Sequence, residues 1–381
     1  MTMRRHPCSK HAYARRPCAS HGYRNVGDPG GSLGGRRYCA PPTRNRHVRT
    51  TEGGVPMAES DIPVDLFNPG QVFACLGFLE AADILLGDAE GGFDWCDEGD
   101  VRFCLRAKDD KNPFAVVLAF LAEAEIKRFG PVGYADPPSK KGKGSLAQHD
   151  SDGDDEPDSE SEAKGSVIDL SETFCAGKGD RMTLPIRISS GNQHIVELDH
   201  WADGSGRETF KLYSGNRSAD SVARAMLKGV RRKPSKKQRQ NNQPGDLKSR
   251  GLTQLWDEDH RKLTEDPLNV LTPIGGSFNF DPRGTWTAID AGYSPNDQKP
   301  KHGVESSPVV EFLAAWGLEH ARPKLFRDRQ VRYAAWGMVL SPILARVALT
   351  GSIPSLSIRR FHFVLGSSGK NKIVTFAEED I

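Results

Sequence analysis

An α+β fold, mainly antiparallel sheet with packed helices, is what this 381-residue sequence predicts, on three observations. Several short runs alternate apolar and polar residues with period two, the mark of half-buried strands. Other runs return an apolar residue every three or four positions, the mark of helices. The two kinds do not follow one another in regular strand-helix-strand order, which argues against a parallel sheet.

The first element is a helix. Asn68-Pro69-Gly70 is a turn signal, because Pro fixes φ, Gly accepts positive φ and Asn bonds to its own backbone. Phe73, Leu76, Phe78, Leu79, Ala82 and Leu86 then recur at helical spacing, Gly77 permits close approach of another backbone, and Gly87 is the stop. After Gly91-Gly92-Phe93, residues 101 to 105 alternate as a strand. Pro113 opens a second helix expected to run through Ile126. Residues 182 to 188, 195 to 201 and 210 to 213 read as three strands of an antiparallel meander. Ser218 to Ser221 cap a helix through Leu227. Residues 273 to 297 are turn-dense, with Phe278, Phe280, Trp286 and Tyr293 among Gly, Asp and Pro, and read either as aromatics that, with Arg283, stack bases or pin a backbone, or as a loop that covers the core and buries its own aromatics. Ser307-Pro308 starts a helix to His320, residues 331 to 336 read as a strand, 343 to 349 as a short helix, and 356 to 376 as a C-terminal hairpin.

Composition divides the chain. Residues 1–56 hold 11 Lys+Arg against Asp28 and Glu52, with scarcely an aliphatic residue, and read as a disordered basic arm; translation is expected to start at Met57. Taking these from 52 Lys+Arg and 50 Asp+Glu leaves 41 and 48, a formal −7 for the remainder. Residues 57–134 read as an N-terminal α/β part and 135–165 as a disordered linker, with eight acids between 150 and 162. Residues 166–381 read as an α+β part with a basic loop at 228–250. No run approaches 18 consecutive apolar residues and there is no secretory h-region, so neither a membrane span nor export is expected. Seven cysteines then fit reduced thiols in the cytoplasm.

Residues 64 to 83, with their Asn-Pro-Gly-Gln-x-Phe-Ala-Cys-x-Gly-x-Leu-Glu-x-Ala-Asp run, resemble the opening of the third Csb family of CRISPR-associated proteins, found in type I-U (I-G) operons. Residues 273 to 297, with Pro273-Ile274-Gly275-Gly276-Ser277-Phe278-Asn279-Phe280-Asp281-Pro282-Arg283-Gly284, are similar to its middle. The two stretches cover about 45 residues. The resemblance implies a non-catalytic large subunit of an RNA-guided interference complex (Cascade), ferredoxin-like units in the fold, and guide RNA, target DNA and other effector subunits as partners.

From Leu227 to Arg239 seven of thirteen residues are cationic: Lys228, Arg231, Arg232, Lys233, Lys236, Lys237 and Arg239. Each phosphate such residues neutralise releases counterions, so the cluster fits sequence-independent binding of DNA or RNA. Pro234 and the Gln-Asn run that follows argue against a regular helix there. Arg283, Arg332, Arg359 and Arg360 are further nucleic-acid-binding candidates, on charge and context. No Walker motif, nucleophile elbow or metal set is present, and no cofactor or metal is expected. Cys8, His11, Cys18 and His21 are zinc-type ligands, but the six-residue loop between the pairs is short for a finger. His149-Asp150 lies in the acidic linker, where no rigid ligand set is expected. The competing readings are a metal-dependent hydrolase or nuclease using Asp199, His200 and the acids near Asp257, and a scaffold that binds only protein.

Overall fold

The computed structural model describes residues 57–131, 168–171, 184–191, 194–201, 210–213, 217–273, 275–285, 304–352, 357–368 and 371–380. Residues 1–56 with their zinc-type ligands, the linker at 135–165 with His149-Asp150, and Trp286 and Tyr293 lie outside these. The described residues fall within one compact unit, Thr43–Ile381.

The fold is α+β with mainly antiparallel sheets. Strand β1 (Met57–Pro63) leads into helix α1 (Pro69–Leu86), β2 (Glu90–Asp94) and β3 (Arg102–Lys108), and the three strands pair antiparallel in the order β1-β3-β2. Asn68 caps α1 by accepting from Gln71 N, and Gly87 ends it at φ 83°. Strand β1 carries no clear alternation; its pairing with β3, Met57↔Lys108 through Pro63↔Arg102, makes it a strand.

Helix α2 (Pro113–Glu123) and β4 (Glu125–Pro131) complete a β-α-β-β-α-β order. This follows the ferredoxin-like pattern through its third strand. The fourth departs from it, because β4 joins a second sheet, β5-β4-β6-β7. There β5 (Ile168–Ser171) runs parallel to β4, while β6 (Ile186–Ser190) and β7 (His194–Leu198) are antiparallel. Helix α2 is accordingly shorter than its periodicity predicts: Ala124 turns extended (φ −56°, ψ 137°) and Ile126 pairs with Ile188. The expected third strand of the meander is also absent. Residues 210–213 instead bury Phe210, Leu212 and Tyr213 as an irregular segment, with the Leu212 carbonyl accepting from Lys372 N at 3.0 Å.

Helix α3 (Ala219–Lys228) is followed by the two-strand pair β8 (Val230–Arg231) and β9 (Leu247–Ser249), with the one-turn helix α4 (Lys236–Gln240) between them. Helix α5 (Leu252–Glu265) is kinked at Asp259, and β10 (Thr272–Pro273) pairs with β11 (Glu305–Ser306). After α6 (Pro308–His320) come β12 (Lys324–Arg327), β13 (Gln330–Trp336), α7 (Pro342–Leu349), β14 (Ile358–Ser368), β15 (Asn371–Val374) and β16 (Glu378–Glu379). They form an antiparallel sheet β12-β13-β14-β15, with β16 also on β14.

One core serves both parts of the chain, since α1 packs against α6 and against Tyr333 and Phe363 of the last sheet. A Cβ at Gly77 would run into the carbonyl of Leu313, and one at Gly317 into that of Phe73, so the two helices cross backbone to backbone at paired glycines. Every residue of α1 from Pro69 to Ala82 is buried. Among the described residues α1 is the one helix long and apolar enough to cross a membrane, and here its all-round apolarity belongs to the core. Cys75 within it is a free thiol that burial pushes well above its ordinary pKa. Cys104 is free as well.

Candidate nucleic-acid interface

The basic segment is an ordered arm. Its base is the β8–β9 pair, with Val230 opposite Ser249 and Arg231 opposite Leu247. Its tip is α4, started by a capping box in which Ser235 Oγ accepts from Gln238 N and Gln238 Oε1 accepts from Ser235 N. Pro234 stops the chain from being helical before Ser235, yet the capping box starts a turn straight after it, so the expectation of no helix is corrected to one short turn. Residues 228–250 carry nine Lys+Arg, one acid (Asp246) and no aromatic residue. Of these only Gly245 and Ser249 are buried.

The seven predicted cations divide by what they touch. Lys228 roots the arm: its Nζ donates to the Ala122 carbonyl at the end of α2 (2.8 Å), and burial lowers its pKa against the pull of Asp257, Glu125 and Glu123. Arg231 donates across the arm to the Gly245 carbonyl, and Arg239 closes the tip on the Pro234 carbonyl. Arg232, Lys233, Lys236 and Lys237 stand exposed on the outer part. Lys248 of β9 is exposed beside them, whereas Arg250 is paired with Glu258 at 2.7 Å. Charge density alone could not separate root from tip, because the distinction is made by the α2 carbonyl, more than a hundred residues away.

The remaining candidates lie elsewhere. Arg283 grips Asp281 with Nε and Nη2 (2.9 and 2.8 Å) and donates to the Leu268 carbonyl and to Asn269 Oδ1, so its donors face inward. Fully buried Asp281 also accepts from Asn68 Nδ2 (3.2 Å) and Ser307 N (3.0 Å), while Gly70 packs against the Phe280 carbonyl. The two stretches that carry the family resemblance therefore meet at one buried polar junction. Phe278 and Phe280 are buried beside it, as the loop reading expects. Arg359 makes a two-pronged pair with Glu379 (2.7 and 2.6 Å) next to Trp95 and Phe361. Arg332 and exposed Arg360 lie on the outer face of the last sheet, Arg332 bonded to Asp380 at 2.7 Å.

Asp199 and His200 follow β7. Glu319 of α6 accepts from both of their backbone N–H groups (2.8 and 2.9 Å) and meets His200 Nδ1 at 3.2 Å. Burial, then the hydrogen bond to Glu319, raises the Asp199 pKa; Glu319 is held down, against its own burial, by His200. Asp257 is exposed on α5, where its charge acts on Lys228. Among the described residues no three His, Cys, Asp or Glu are grouped to hold a metal.

No family model, curated protein or solved structure matches this chain. What the arm can do therefore follows from its chemistry. Exposed ammonium and guanidinium groups with no aromatic residue among them neutralise phosphates, so the arm can hold a nucleic-acid backbone without reading its sequence.

Proposed function

We propose that this chain is a non-catalytic subunit of a type I-U CRISPR interference complex, acting in the cytoplasm and holding guide RNA or target DNA by its phosphates. The observation that carries the reading is the exposed arm at 228–250, nine cations against one acid on a capped, paired scaffold. The residues at 64–83 and 273–297 that resemble the third Csb family support it, since they meet in one junction of the core. In such a complex base pairing between guide and target reads sequence, and protein cations hold the backbones. The partners are the guide RNA, the target DNA and the other effector subunits.

The test is co-purification of the chain with its genomic neighbours and a guide RNA, followed by sizing and nucleic-acid extraction at low and high salt. One RNA-containing particle is the expected result. A lone chain with no affinity for RNA or DNA at low salt would overturn the reading in favour of a protein-binding scaffold.

A further inference from the structure

The outer face of the last sheet joins cations to an aromatic ring in a way the arm does not. Register places Lys324, Arg332 and His362 directly opposite one another across β12, β13 and β14, and Arg360 opposite Ala334 one step along. Two cations facing each other on adjacent strands repel, so the row is incomplete without negative charge. Two acids supply part of it: Asp380 contacts Arg332 Nε and His362 Nδ1 at 2.7 Å each, and Glu378, opposite His362 on β16, lies 3.8 Å from His362 Nε2. Lys324, Arg327 and Arg360 remain exposed around it, with no ion pair among the described residues.

Arg332 is more than a charge. Its guanidinium lies over the Phe326 ring, 4.2 Å from the centre, and its edge is held by Asp380, yet 45% of the side chain is open to solvent. His362 stands edge-on to the same ring at 6.4 Å. A guanidinium plane backed by an aromatic ring and pinned at its edge has lost its rotamer freedom before any ligand arrives. Such a plane stacks on nucleobases, which expose their faces only where a strand is unpaired.

We infer that Arg332, backed by Phe326, is a stacking platform for an unpaired base of single-stranded nucleic acid, with Lys324, Arg327 and Arg360 taking the neighbouring phosphates. This rests on the nucleic-acid reading above and adds that part of the bound strand is unpaired and held by base faces as well as by backbone. The shared chemistry fits RNA and DNA alike.

The test measures affinity of the full chain, at fixed low salt, for a short fluorescent RNA, the DNA of the same sequence, and an abasic strand of equal length. Arg332→Lys keeps the charge and removes the plane; Phe326→Ala removes the backing ring. The expected result is that both variants weaken binding of the base-bearing strands by about tenfold, the order of one lost stacking contact, and leave the abasic strand within about twofold. The ratio of RNA to DNA affinity identifies the strand. Equal affinity of the unaltered chain for abasic and base-bearing strands, or an Arg332→Lys variant that binds all three strands as the unaltered chain does, overturns the stacking platform alone. Loss on all three strands alike overturns it too, since a plane that acts through base faces cannot be felt by an abasic strand. No binding of any strand overturns both this inference and the proposed function.

Discussion

Glu311 is a fully buried carboxyl on α6 whose oxygens accept from Phe280 N and Asp281 N at 3.2 and 3.0 Å. Burial, reinforced by the negative charge of Asp281, raises its pKa from 4.5 to about 7. The folded value lies above the unfolded one, so the neutral acid stabilises the fold fully below pH 4.5, and that stabilisation is lost as pH rises through 7. The loss is on the order of 3 kcal/mol. Denaturant titrations at pH 6 and pH 8.5 should show the chain weaker at the higher pH. Glu311→Gln should flatten that difference, with a lower baseline because one backbone N–H loses its acceptor. Asp281 carries a heavier role, joining Asn68, Arg283 and Ser307. Asp281→Ala should cost about 3 kcal/mol in the same titration, since it leaves the half-buried Arg283 guanidinium, the Asn68 amide and the buried Ser307 N–H without their acceptor. Asn68 announces itself in the sequence as a turn and cap residue, but its partner 213 positions away does not.

At the scale of elements, the crossing of α1 and α6 and the basic arm make opposite demands. Gly77→Ala or Gly317→Ala should push the helices apart and lower stability by about 3 kcal/mol, read by thermal or chemical denaturation, because a carbonyl occupies the space of the new methyl group. Neutralising Arg232, Lys233, Lys236 and Lys237 together should leave stability within about 0.5 kcal/mol, since all four are exposed. The same variant should flatten the dependence of log affinity on log salt by up to about 3, near 0.7 to 0.9 per lost phosphate contact. Most helices were legible because capping residues and apolar period coincide, as at Asn68, Asn112 and Ser307. The arm's cations were legible too, but their ordering was not, because it depends on a single capping box after Pro234. The sheet platform was half legible: Arg332 and Arg360 stand out as charges, while Phe326 and Lys324 join them only through strand register.

At the scale of the whole molecule, the expected division at the acidic linker does not divide the core. Strand β4 from before the linker pairs with β6 from after it, and α1 lies against α6, Tyr333 and Phe363. The chain should therefore unfold in one transition, with circular dichroism and tryptophan fluorescence coincident; two separated transitions would show independent domains. The sequence by itself determined the α+β class, the caps and termini of the main helices, the polarity of the linker and the cationic arm. Each of these follows from local propensity, periodicity or charge, which neighbours along the chain suffice to express. Only the tertiary structure decided that β1 is a strand, that β4 leaves the first sheet for the second, that Arg283 faces inward and Arg332 outward, and that Gly77 meets Gly317. Those outcomes depend on partners distant in sequence, and no local pattern encodes which hydrogen-bonding edge, carboxylate or backbone a residue will meet when the core closes.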